Sequence, residues 1–102
     1  MILKASENVL ELEKRIRPQL IEDQGFPRPK RVTMIASPDH TGDEAYFVYL
    51  VFPNTTPDSA LSWRKIKAMV DWVRATIWEA DGERHWPYVR VKRERDMKGE
   101  PA

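Results

Sequence analysis

The segment "EAYFVYLVF", residues 44 to 52, has no polar side. Side chains in a strand alternate between two faces. Tyr46, Val48, Leu50 and Phe52 fall on one face, and Ala45, Phe47, Tyr49 and Val51 on the other. Each large apolar side chain left in water forgoes about 1.5–3 kcal/mol of burial. Either helices cover both faces of the sheet that holds this strand, or a second chain covers the face the helices leave.

The rest of the chain limits what cover is available. Its 102 residues support one domain with a single core. Residues 1–96 read as one α+β domain, and 97–102, "MKGEPA", as a flexible tail. Ser6 is placed to cap a first helix, in which Val9, Leu12, Ile16 and Leu20 form a stripe. Pro18 lacks a backbone donor and clashes one turn back, so it kinks or ends that helix, and Gly25 stops the remainder. Lys30 to Ser37 reads as a strand that forms a hairpin with residues 44–52 across "PDHTGD".

A second helix is predicted from Thr56 as cap, with Pro57 and Asp58 in its first turn. Trp63, Ile66, Met69, Val70, Val73, Ile77 and Ala80 make its stripe, and Gly82 its left-handed cap. "WPYVRVKR" then alternates as a half-exposed strand near an edge. The order is α-β-β-α-β: a two-layer α+β fold with a three-stranded sheet, a β-hairpin and two helices. The last strand can pair with either strand of the hairpin.

Composition narrows the chemistry. Apolar residues make up 41% and charged residues 32%, as in a globular protein rather than a disordered one. Without cysteine there is no disulfide framework, thiolate nucleophile or sulfur-ligated zinc. The charged N-terminus lacks a signal-peptide core, no segment has the length of a membrane span, and a cytoplasmic location is expected.

Asp39, His40, Asp43 and Glu44 cluster before the apolar strand, but their spacing is neither that of a helical metal pair nor that of a calcium loop. Turn chemistry explains them better: Asp39 is placed to bond its own backbone two residues on, and Gly42 to take positive φ. Ser37, His40 and Asp43 lack the strand-turn-helix elbow of a nucleophile. No glycine-rich loop precedes a helix, so nucleotide-fold motifs are absent. Asp58 competes with any anion at the start of the second helix. No catalytic, cofactor-binding or metal-binding residue is assigned.

Charge is uneven. Residues 28 to 31 carry +3, 39 to 44 carry −3 and 84 to 98 carry +4, within a net charge of +1. Arg28, Lys30, Arg31, Arg90, Lys92 and Arg93 are nucleic-acid candidates if the last strand lies beside the first, with Trp86 and Tyr88 to stack on bases. Edge-strand lysines and arginines also keep sheets from associating. Trp63 lies in the main stripe and reads as core. Trp72 falls on another side with Leu61 and Ala68, where it either packs under the first helix or anchors an interface. Leu61, Trp72, Phe47 and Tyr49 are the interface candidates.

The hairpin "DHTGDEAYFVYLVF" and the later "ERHWPYVRV" resemble segments of small uncharacterised prokaryotic proteins with the same helix-hairpin-helix-strand order. The resemblance covers residues 30 to 92. It implies the α+β fold, and it carries no activity and no functional residue. The α-β-β-α-β order also occurs in RNA-binding folds, but the G-x-x-G loop that clamps nucleotides there is missing. The expected function is non-catalytic protein–protein association, as a homodimer or as the minor subunit of a two-component assembly. A nucleic-acid-binding accessory protein is the alternative, and an enzyme with a site at the 39–44 turn the third.

Overall fold

The computed structural model describes residues 5–97. The element order is α1 (Ala5–Glu13), α2 (Pro18–Asp23), β1 (Arg31–Pro38), β2 (Glu44–Phe52), α3 (Trp63–Ala80) and β3 (Pro87–Arg93). Short 3-10 helices, Asp58–Leu61 and Glu94–Met97, flank the last two elements. The expected α+β architecture is present, with the first helix divided in two. Pro18 is the cause. It sits in the first turn of α2, after extended Arg17, where its missing donor costs nothing. The side chain of Ser6 and residues 98–102 of the expected tail lie outside the described residues. Met97, assigned to that tail, ends the second 3-10 helix.

The sheet order is β1-β2-β3, so β2 is the central strand. β1 pairs with it antiparallel and β3 parallel, after the crossover through α3. Tyr46, Val48, Leu50 and Phe52 are fully buried in one core with Leu12 and Ile16 of α1, Ile21 of α2, and Met69, Val73 and Ile77 of α3. Every α-helix therefore packs on the same face of the sheet. Burial of each such side chain contributes about 1.5–3 kcal/mol.

Two local expectations are corrected. The second helix begins at Trp63, not after Thr56: Ser62 is extended and separates α3 from the 3-10 turn. Asp58 is drawn instead to the Arg93 guanidinium, 2.7 Å away. Trp63 is 75% exposed rather than core. It is the first residue of α3 and stands at the edge of the stripe, beyond the turns that reach the sheet. At the other end of α3, Gly82 takes φ +67. Its N–H bonds Glu79 O and that of Glu83 bonds Trp78 O, the paired bonds of a Schellman cap.

Candidate functional site

Polar and aromatic groups gather at three places: the hairpin turn, a buried network at the end of α3, and the face of the sheet opposite the helices.

In the turn, Gly42 N–H bonds Asp39 O and Asp39 N–H bonds Asp43 O, with Gly42 at φ +88. This is a three-residue hairpin loop. Asp39 Oδ1 accepts from the Thr41 hydroxyl at 2.6 Å, from Thr41 N–H at 2.9 Å and from Asp43 N–H at 3.2 Å. Oδ2 accepts from the Tyr88 phenol of β3 at 3.0 Å. The Thr41 hydroxyl, above all, holds the Asp39 carboxyl at about 2, with help from Thr41 N–H, the Tyr88 phenol and Asp43 N–H, against the opposing pull of desolvation. The same hydrogen bond from the other side raises the Tyr88 phenol. His40 is exposed at the tip.

Because Asp39 titrates lower in the folded chain than in the unfolded one, its ionised form favours folding above about pH 4. That contribution fades as the pH falls toward about 2. We expect an Asp39 carboxyl titration by NMR with a midpoint near 2, moved upward in Tyr88→Phe. A midpoint at the ordinary value of 3.8 would show that these bonds do not form in solution.

The second feature was not foreseen. Asp81, the cap residue of α3, is buried and accepts from four donors. These are the Tyr46 hydroxyl at 2.8 Å, Asn8 Nδ2 at 3.0 Å, and the backbone N–H and Nδ1 of His85, both at 2.9 Å. Gly82 and Glu83, both at positive φ, turn the chain so that His85 folds back on Asp81. His85 Nε2 lies 4.0 Å from Glu44 Oε2, and its ring meets Tyr46 edge-on. Burial, reinforced by Asp81, raises the Tyr46 phenol far above its usual range, so Tyr46 is a neutral donor. An Asp–His pair is the orienting half of acid–base machinery. Here the carboxylate is saturated by groups from α1, β2 and the α3–β3 connection, so the arrangement fastens three elements together. Among the described residues, no group of three or more His, Asp or Glu side chains is placed to hold a metal.

The third feature answers the question posed by β2. Among the described residues, no α-helix packs on the Phe47 side of the sheet. The register sets Ile35, Phe47 and Tyr88 in one row, Thr33, Tyr49 and Arg90 in the next, and Arg31, Val51 and Lys92 beyond. Phe47 and Tyr88 stack with centroids 5.2 Å apart and planes 14° from parallel. Ala45 and Val51, on the same side of β2, are fully buried. Ile35, Phe47, Tyr49 and Tyr88 are half-buried, and Arg31 and Arg90 are exposed.

The other candidates divide. Trp72 packs on the core and against Phe26, ring to ring at 6.2 Å, and Leu61 is partly buried against the same core. Both serve the chain's own packing, whereas Phe47 and Tyr49 lie on the open face. The last strand does not pair with the first, since β2 stands between them. The parallel register nonetheless brings Arg31 and Lys92 to either side of Val51. Arg28 bonds Gln19 and approaches Glu22, Lys30 pairs with Glu94, and Arg93 binds Asp58 and the carbonyls of Asn54 and Thr56.

The class of protein defined by these features is a two-layer α+β domain with a three-stranded mixed sheet, helical on one face and open on the other. No protein-family model, curated protein or solved structure matches the chain. Among the described residues no helix is long and apolar enough to cross a membrane.

Proposed function

We propose that this chain is a non-catalytic association module, a homodimer or a small subunit of a two-component assembly, that docks through the open face of its sheet. One observation carries the reading: every described α-helix packs on the Tyr46 side, so the half-buried Ile35, Phe47, Tyr49 and Tyr88 have no described α-helix over them. A part-exposed apolar row with no helix over it is the kind of surface on which a partner docks. The Asp39–Tyr88 bond and the Phe47–Tyr88 stack hold the face rigid before docking, which lowers the ordering cost of association.

Sedimentation velocity across a range of concentrations tests the reading. The wild-type chain is expected to self-associate, and Phe47→Glu to weaken association at least about 100-fold by setting a charge at the centre of a desolvated patch. Circular dichroism of the variant should stay unchanged. A wild-type chain monomeric at every concentration would overturn the homodimer.

Nucleic-acid binding is the second reading, favoured by Arg31, Arg90 and Lys92 on the same face as three aromatic rings. Against it, Phe47 and Tyr88 spend their ring faces on one another, and Asp39 occupies the Tyr88 hydroxyl. We expect fluorescence anisotropy with single-stranded RNA to show weak binding that disappears toward about 200 mM salt. A complex that survives that salt and is lost in Arg90→Glu would favour nucleic acid over protein.

A further inference from the structure

We propose that the occupant of the open face is a second copy of this chain, docked face to face with its strands antiparallel to the first, about a two-fold axis that crosses the Phe47 row. The proposal rests on the association reading above and specifies the partner and its orientation.

Charge is ordered along the face. Asp39 and Asp43 stand at the hairpin end of β2, and Arg31 and Lys92 flank Val51 at the far end, with Arg90 one row inward beside Tyr49. The face therefore runs from acidic to basic along the strand direction. Two copies can meet face to face about an axis along the strands or across them. An axis along the strands stacks β1 over β3, so Arg31 meets Lys92 and Asp43 meets Asp43, and like charges oppose at both ends. An axis across the strands reverses the second copy. Positions 43 and 51 are equidistant from 47, so Arg31 then lies over Asp39 and Val51 over Asp43 of the other copy, which sets Arg31 against two carboxylates, while Lys92 falls over the α3–β3 connection. Phe47 meets Phe47 at the centre. The same surface serves both copies, as a two-fold interface requires.

A nucleic-acid backbone does not fit this order, because a run of phosphates that follows the strands passes from Arg31 onto Asp39 and Asp43. Three strands of this length present a face on the order of 25 by 15 Å. That is small against the roughly 800 Å² per partner of a standard interface, so a dimer in the micromolar range is expected.

The experiment is a charge exchange read by sedimentation equilibrium of the full chain, with circular dichroism as the control for folding. Arg31→Glu and Asp43→Lys are each expected to weaken dimerisation about tenfold, since each substitution acts twice in a two-fold interface. The combined Arg31→Glu, Asp43→Lys chain should dimerise more tightly than either single variant, because positions 31 and 43 re-form a pair with signs exchanged, but more weakly than wild type, because Asp39 still opposes position 31. A wild-type dimer indifferent to the single reversals, or a double variant weaker than either, overturns the antiparallel docking and leaves the association reading standing. A wild-type chain without self-association overturns this docking together with the homodimer, and leaves only the two-component form of the association reading.

Discussion

Replacing Asp81 with alanine is expected to destabilise the fold by about 3–5 kcal/mol, a large part of the 5–15 kcal/mol that a small domain possesses. The side chain is the shared acceptor for the Tyr46 hydroxyl, the Asn8 amide and the His85 ring and backbone. Its removal strands the buried Tyr46 hydroxyl and three part-buried donors, and each orphan out of reach of water costs about 1–3 kcal/mol. For a chain of this length the loss lowers Tm by about 15 °C or more. Tyr46→Phe is the graded control. It deletes one donor, leaves Asp81 with three, and should cost only about 1 kcal/mol. Thermal and denaturant unfolding of the two variants decides the matter: if Asp81→Ala is no worse than Tyr46→Phe, water satisfies the stranded donors and the network is not structural.

Trp72→Glu should lower stability by about 2–4 kcal/mol and leave the self-association of the folded fraction unchanged. The ring packs on the core beside Phe26, and the substitution both empties that site and sets a carboxylate there. Phe47→Glu should do the reverse, weakening association strongly while costing only about 1–2 kcal/mol in unfolding, because Phe47 is half-buried and its ring stacks on Tyr88. Loss of the dimer without loss of stability in Trp72→Glu would move the interface from the sheet to the flank of α3.

The contrast between these tryptophan and phenylalanine positions illustrates how far the linear pattern reaches. Helical spacing assigned Trp72 to a secondary flank of α3 but did not say what meets that flank, because Phe26 arrives from the loop after α2. Spacing also drew Trp63 into the buried stripe. A stripe extends as far as the residues do, whereas burial extends only as far as the sheet beneath, and Trp63 lies past its edge at 75% exposure.

Local chemistry alone determined a good deal: the hairpin and its strands, the Asp39 turn, the left-handed cap at Gly82 and the break at Pro18. Each follows from backbone preferences over a few residues, which act wherever the chain is placed. That β2 has two apolar faces was also written in residues 44–52, and with it the need for cover on both. Tertiary structure decided the rest. It placed β3 parallel to β2, so that Arg31 and Lys92 meet at one end of the sheet with β2 between them. It set every α-helix on one face and thereby chose which apolar side stays open. It also joined Asn8, Tyr46, Asp81 and His85, residues up to 77 positions apart in sequence, around one buried carboxylate. Such groupings follow from chain crossings and from the satisfaction of buried polar groups, which no short window of sequence contains.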